Sequence, residues 1–95
     1  MATDRTGRER ARWMRPADDA ILEFLSTERA QYPAIIANRL GMHTTFIESR
    51  CEALADNGLI EPATAEVVYR ITDTGLAYLD GSVAVRSADD AASKE

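Results

Sequence analysis

Apolar and polar residues alternate along this chain with two different periods. In four stretches the apolar residues recur every three or four positions, which is the spacing of an amphipathic helix. Between the third and fourth stretches the period falls to two, the spacing of a strand with one buried face. The pattern therefore predicts four helices with a short pair of strands before the last one.

The first helix is predicted from about Pro16 to Thr27, because proline suits the first helical position. Its apolar stripe consists of Ala17, Ile21, Leu22 and Leu25. Asp18 and Asp19 fall in the first turn, where free N–H groups favour negative charge, and we expect them mostly on the solvent side. Arg15 stands where an acceptor side chain would cap the helix, so no side-chain cap is expected.

Two further helices surround a tight turn. Pro33 opens the second helix and Gly41 ends it as a left-handed cap. Thr44 is predicted to cap a third helix over about residues 44–57. The stripe of this helix expected in the core is Ile47, Cys51 and Leu54. The opposite stripe is Thr45, Glu48, Ser49, Glu52 and Asp56.

After Gly58 the alternation predicts strands over residues 59–61 and 67–71, joined by a loop. Thr72 then caps a last helix that Gly81 closes. A three-helix core, a two-stranded β-wing and a C-terminal helix make a winged helix-turn-helix, an α+β fold that is mainly α. In a helix-turn-helix the second of the paired helices lies in a DNA groove.

A chain of 95 residues makes one domain with a modest core and no room for an elaborate catalytic cleft. Residues 1–12 are polar, rich in arginine and without periodicity, so we expect a flexible basic arm. The winged-helix domain is expected over residues 13–82. Residues 83–95 contain too little apolar surface to offset their ordering entropy and are expected to form a disordered acidic tail.

The net charge of −5 argues at first against a nucleic-acid partner. Its distribution weakens that objection, because residues 1–15 hold five arginines against two carboxylates. Ten of the eleven basic residues are arginine. This acid-rich, lysine-poor composition fits a cytosol of very high salt, where screening removes most surface repulsion, although a mesophile with a GC-rich genome would show the same arginine bias.

The residue inventory argues against several classes of function. One cysteine and one histidine do not make a zinc site, and we expect no metal or other cofactor. Cys51 lies on an apolar stripe, which favours a core role over a nucleophilic one, so no catalytic residue is assigned. No apolar run reaches the roughly 18 residues of a membrane span. We expect a cytoplasmic protein that is not an enzyme and has no evident small-molecule effector.

The exposed stripe of the third helix supplies the expected base contacts, which are Thr45, Glu48 and Ser49. Hydroxyl groups bond base edges, and a carboxylate accepts from the cytosine amino group. The expected phosphate contacts are Arg12, Arg15, His43, Thr44, Arg50 and Arg70. A solvated helix face is the alternative for the stripe, and a simple exposed turn residue is the alternative for His43. Trp13 either anchors the arm to the core or stacks on a partner.

Several short motifs carry a family resemblance when taken in order. They are residues 13–19 (WMRPADD), 21–23, 36–37, 49–51 with Leu54, 58–60, and 69–72 with Gly75, Tyr78, Leu79 and Gly81. Over residues 13–82 the chain resembles the winged-helix repressors of haloarchaea and their viruses, typified by the phiH phage repressor. The resemblance implies a dimeric DNA-binding regulator with its third helix in the major groove, its wing against the adjacent backbone, and a salt-adapted acidic surface.

The sequence therefore predicts a repressor-like regulator of transcription that binds double-stranded DNA specifically, as a homodimer. The rival hypothesis is a winged helix that serves as a protein-interaction module in a larger complex. Clustering of Arg12, Arg15, Arg50 and Arg70 beside the third helix would favour DNA. Their dispersal around the domain would favour a protein partner.

Overall fold

The computed structural model describes residues 11–63 and 68–81. These residues form α1 (Pro16–Thr27), α2 (Pro33–Leu40), α3 (Thr44–Asp56), β1 (Ile60–Pro62), β2 (Tyr69–Ile71) and α4 (Asp73–Leu79). The two strands pair antiparallel, as a wing does. The predicted winged helix-turn-helix architecture is confirmed.

One apolar core joins the helices and the base of the wing. Its largest fully buried apolar side chains are Ile21, Leu22, Leu25, Ile36, Ile47, Cys51, Leu54, Leu59, Ile60 and Tyr78. The stripes predicted for the first and third helices are thus confirmed. Each large apolar side chain moved from water into this core contributes about 1.5–3 kcal/mol, so the core is the main source of stability.

The helix ends follow the predicted chemistry with one change. Gly41 ends α2 in the left-handed conformation, with φ of 70°, and the Thr72 hydroxyl accepts the Gly75 N–H at 3.1 Å at the start of α4. Arg15 provides no side-chain cap for α1. The cap of α3 was predicted one residue too late, because His43 occupies that position and Thr44 is already helical.

The first strand of the wing is shifted by one residue from its predicted range, the second begins at Tyr69, and the wing has an additional partner. Ile60 pairs with Ile71, and Pro62 pairs with Tyr69; residues 64–67 lie outside the described part of the chain. Gln31, between α1 and α2, forms an antiparallel bridge with Tyr69 through backbone hydrogen bonds of 3.0 Å in both directions. An isolated bridge has no alternating pattern, so the sequence did not predict it.

Gly75 allows α4 to pack directly on the wing. A Cβ atom at this position would overlap the Leu59 carbonyl oxygen and would lie 2.6 Å from Cγ1 of Ile71. The Leu59 contact is with backbone, which cannot rotate away as a side chain can. Any side chain at position 75 would therefore move α4 off the strands.

The two aspartates of the first turn of α1 are buried, which corrects the prediction that they face solvent. Asp18 is 0% exposed and Asp19 is 7% exposed. Helical periodicity alone treats a carboxylate as a solvent-facing residue. Buried carboxylates persist only with charged or hydrogen-bonding partners, and both aspartates have such partners.

The predicted terminal segments fall mostly outside the described residues. This holds for residues 1–10 of the basic arm and for residues 82–95, which include the acidic tail. Ala11 is described, is only 8% exposed and belongs to the core, and its carbonyl accepts a hydrogen bond from the Met14 N–H at 3.0 Å. The packed domain therefore extends at least two residues before Trp13.

Candidate nucleic-acid interface

The outward face of α3 carries the three residues predicted to contact bases. Thr45, Glu48 and Ser49 are all exposed, and they lie opposite the buried stripe that begins at Ile47. Residues three and four apart are neighbours on a helix, so the three side chains form one continuous patch. A polar patch on a helix of this length is able to present hydroxyl and carboxylate groups to base edges.

The start of α3 is open to solvent. His43 and Thr44 are exposed, and His43 makes no side-chain capping hydrogen bond. The N–H groups of a helix's first turn have no partner within the helix, and the helix dipole places partial positive charge there. This end of α3 is therefore suited to an anion such as a DNA phosphate.

Phe46 lies in the same turn and is 40% exposed. Sequence reasoning assigned it no role. The sequence feature that could have indicated a role is the position of this aromatic residue outside the core stripe of α3, between Thr45 and Ile47.

Arg50 is turned inward, away from the predicted phosphate position. Its Nε and Nη2 atoms donate to the Asp18 carboxylate at 2.9 and 2.8 Å, and Nη2 also donates to the Trp13 carbonyl at 3.1 Å. The side chain is 13% exposed and that of Asp18 is 0% exposed. Hydrogen bonding to Asp18 raises the pKa of Arg50. The structure therefore places Arg50 at the α1–α3 junction, an arrangement that does not favour the predicted phosphate contact.

Trp13 completes this junction. It packs against the core cluster, and the Arg50 guanidinium lies 5.9 Å from the centre of its ring. An arginine at that distance is attracted by the aromatic face. The position supports the interpretation of Trp13 as an anchor.

A second buried hydrogen bond ties α1 to α4. The Tyr78 hydroxyl donates to the Asp19 carboxylate at 2.6 Å. Adjacent aspartates of α1 are thus bound to different helices, Asp18 to α3 and Asp19 to α4. Sequence reasoning missed both contacts. The available signal was an acidic pair immediately before an apolar stripe, in a chain with few basic residues after position 15.

The remaining predicted phosphate-binding arginines are exposed but do not form one cluster. Arg12 and Arg15 lie before α1, whereas Arg70 lies on β2 beside the loop that follows α1. A helix of 12 residues is about 18 Å long, which separates the two ends. Arg70 also pairs with Glu61 across the wing at 2.8 Å.

Two concave surfaces flank the wing. A cavity of about 520 Å³ lies between the end of α1 and β2, with Arg29 and Arg70 in its wall. A smaller one of about 270 Å³ is lined by Pro33, Glu48, Glu52 and Tyr69. Burial raises the pKa of Tyr69, followed by Cys51 and then by the carboxylates of Glu52, Asp56 and Glu48. The flank of α3 that faces the wing is thus acidic.

Cys51 is not a nucleophile in this setting. It is fully buried, and burial raises the pKa of its thiol to about 12, with a further contribution from Asp18. A thiol with that pKa remains protonated at neutral pH. Within residues 11–63 and 68–81, no group of three histidine, cysteine, aspartate or glutamate side chains is placed to hold a metal ion. In those same ranges no helix has the length and apolar character to cross a membrane.

Comparison with known proteins identifies relatives over most of the chain. The family described as winged helix-turn-helix phage repressor matches residues 7–91. The repressor protein of Halobacterium phage phiH is 34% identical over 80 residues, which are 80% of this chain and 90% of that protein. The crystal structure of the PhiH1 repressor-like protein from Haloarcula marismortui superimposes with a TM-score of 0.72 at 36% identity. It covers 78% of this chain and 85% of that one.

Proposed function

The chain belongs to the winged helix-turn-helix phage repressor family, a family of non-enzymatic DNA-binding regulators, and from this membership we propose that it binds specific double-stranded DNA sites as a repressor-like regulator of transcription. The single observation that carries this proposal is the outward face of α3. Its hydroxyl groups, Thr45 and Ser49, are exposed on the helix that a helix-turn-helix places in the major groove.

In this proposal Thr45, Glu48 and Ser49 contact base edges. The open start of α3, with His43 and Thr44, holds one phosphate. Arg12, Arg15 and Arg70 contact phosphates outside the groove, where exposed arginines gain from counterion release. Arg50 acts indirectly, because its bonds to Asp18 set the position of α3 against α1.

We further propose that the regulator works in the cytoplasm as a homodimer. A two-fold dimer matches half-sites one helical turn of DNA apart, which is how helix-turn-helix proteins recognise palindromic operators. Sedimentation of the full chain, with and without a selected duplex, tests this part separately. A protein that stays monomeric at high concentration and on a duplex with two half-sites would remove the dimer.

Selection from a pool of random duplexes tests specific binding. The parent chain is expected to enrich a defined sequence, and Thr45→Ala and Ser49→Ala are expected to change the preferred base at one or two positions, each contact being worth about 1–3 kcal/mol. Thr74→Ala is the matched control, because Thr74 is exposed on α4, away from the α3 face. Failure to enrich any sequence would contradict the proposal.

Two observations favour the rival function of a protein-interaction module. Arg12, Arg15, Arg50 and Arg70 do not cluster beside α3, and their dispersal is the arrangement expected for a protein partner. The exposed face of α3 includes Glu48, Glu52 and Asp56, and the arginine of this helix is bound to Asp18. An acidic face attracts a basic protein partner. Affinity selection that enriches no duplex, together with binding to a basic protein that Glu48→Gln weakens, would favour the rival.

A further inference from the structure

Resting on the proposed DNA-binding function, we propose that Phe46 is a specificity-determining residue that packs against the 5-methyl group of a thymine in the major groove. This assignment follows from where Phe46 lies on α3, from its exposure, and from the chemical groups that the rest of α3 has available.

Phe46 borders the row of predicted base contacts. It is three residues before Ser49, so the two side chains differ by only about 60° around the helix axis. Side chains on a helix lean toward its N-terminus, so the ring extends toward the end of α3 at His43. Residues near the N-terminus of a recognition helix are the ones that contact base edges.

The exposure of Phe46 separates it from the apolar residues on the core stripe of α3. Ile47, Cys51 and Leu54 are fully buried. Phe46 is 40% exposed, and a phenylalanine that is left in water gives up much of the free energy that its burial would supply. A surface that buries the exposed part of this ring would recover that free energy.

The side-chain groups on α3 limit which groups of a base edge this helix is able to recognise. Arg50 is the only basic residue of α3, and it is held by Asp18. The usual bidentate contact of arginine with guanine is therefore not available from this helix. Hydroxyl groups, carboxylates and the Phe46 ring remain, and the thymine methyl is the apolar group that a base edge presents in the major groove.

An apolar contact also fits an acidic helix face. Glu48 and Glu52 oppose the approach of phosphates, whereas a ring against a methyl group carries no charge and releases no counterions. The contact therefore keeps its strength as salt rises. Thymine recognition by Phe46 would supply specificity under conditions in which arginine–phosphate attraction is weak.

Replacing thymine by deoxyuridine tests this contact, because the exchange removes only the methyl group. We would first select a preferred duplex with the parent chain, then replace each thymine singly and measure the dissociation constant with the parent, Phe46→Ala and Phe46→Leu. One or two replacements are expected to weaken parent binding about three- to fivefold, the size expected for one buried methyl group. The same replacements should leave Phe46→Ala unaffected, and Phe46→Leu should retain part of the effect.

Leu76→Ala is the matched control, because Leu76 is 43% exposed on α4. Its response to deoxyuridine should equal that of the parent. Equal deoxyuridine effects in the parent and in Phe46→Ala would overturn the assignment while leaving specific DNA binding intact. A Phe46→Ala change that alters self-association but not the deoxyuridine response would also overturn it, by assigning the ring to a second copy of the chain. Enrichment of no duplex at all would instead contradict the underlying DNA-binding function.

Discussion

Charged residues are buried and paired on the inner side of α3 but exposed to solvent on its outer side. On the inner side, Arg50 and Asp18 form a bidentate ion pair with side chains 13% and 0% exposed. On the outer side, Glu48 and Glu52 face solvent. The inner pair fixes how α3 sits on α1, and it also removes the helix's single arginine from the surface. The geometry that positions α3 thus leaves its outer face without a basic group.

Charged residues on the two sides of α3 have different energetic consequences. A buried charge that loses its partner is expensive, because the remaining ion stays out of water without compensation. An exposed charge remains hydrated and contributes little to folding. Substitutions on the inner side should therefore act on stability, and those on the outer side should act on binding.

The largest effect is expected from Asp18→Ala. The substitution leaves the Arg50 guanidinium buried without its carboxylate, and it should lower the free energy of unfolding by about 3–5 kcal/mol, the cost of breaking a buried pair. Urea unfolding at fixed salt measures this cost.

Two further variants make that measurement specific. Glu48→Ala on the outer side should stay within about 0.5 kcal/mol of the parent. The double variant Asp18→Leu, Arg50→Met should recover most of the loss, because a well-packed apolar pair often matches a buried ion pair. A cost for Asp18→Ala as small as that of Glu48→Ala would mean that the pair does not hold α3 in place.

A smaller effect on the inner side is expected from Tyr78→Phe. This change removes the hydroxyl that donates to Asp19 at 2.6 Å while keeping the buried ring. A hydrogen bond to a charged group is worth about 1.5–3 kcal/mol, so unfolding should become easier by that amount. Tyr69→Phe, on the half-buried wing, is the control. If both variants unfold at the same urea concentration, the Asp19 contact contributes nothing beyond packing.

Sequence periodicity predicted the elements of the fold but not the buried charges. Stripes such as Ile47, Cys51 and Leu54 are local patterns, and their burial follows from helix geometry alone. The Asp18–Arg50 pair spans 32 residues, and no local pattern links its partners. The bridge between Gln31 and Tyr69 has the same origin, since two chain segments meet there only after the helices pack.

The residues of the candidate site were likewise predictable from the sequence only in part. Exposure of Thr45, Glu48 and Ser49 was predictable, because residues opposite a core stripe must face outward. The direction of the Arg50 side chain was not predictable, because a residue beside the core stripe is able to reach either solvent or α1. Asp18, at the start of α1, draws the side chain toward α1, and the burial of Asp18 itself depends on the packing of α1 against α3.

The buried thiol of Cys51 should make stability fall at alkaline pH. Its pKa rises from 9.0 to about 12 on folding, so above pH 9 the unfolded chain loses a proton that the folded chain retains. The contribution of Cys51 to stability is present below pH 9 and is lost as the pH rises toward 12, with a loss of about 1.4 kcal/mol at pH 10. Urea unfolding of the parent and of Cys51→Ala from pH 8 to 10 isolates this contribution. Parallel pH profiles would show that burial does not perturb the thiol.

The smallest effect is expected for the ion pair of the wing, which has the same chemistry as the inner pair but lies in water. Arg70 and Glu61 meet at 2.8 Å with side chains 56% and 46% exposed. An exposed pair of this kind contributes about 0–1 kcal/mol, so Glu61→Gln should barely change the urea midpoint. Screening at molar salt shortens the Debye length to about 3 Å.

Any difference between Glu61→Gln and the parent should therefore disappear between roughly 0.1 M and 2 M potassium chloride. The cost of Asp18→Ala should persist over the same range, because a largely buried pair is screened much less than an exposed one. Unfolding of both variants at the two salt concentrations compares the pairs directly. A cost for Asp18→Ala that salt abolishes would mean that water and ions reach Arg50, which would make this arginine available for the phosphate contact predicted from the sequence.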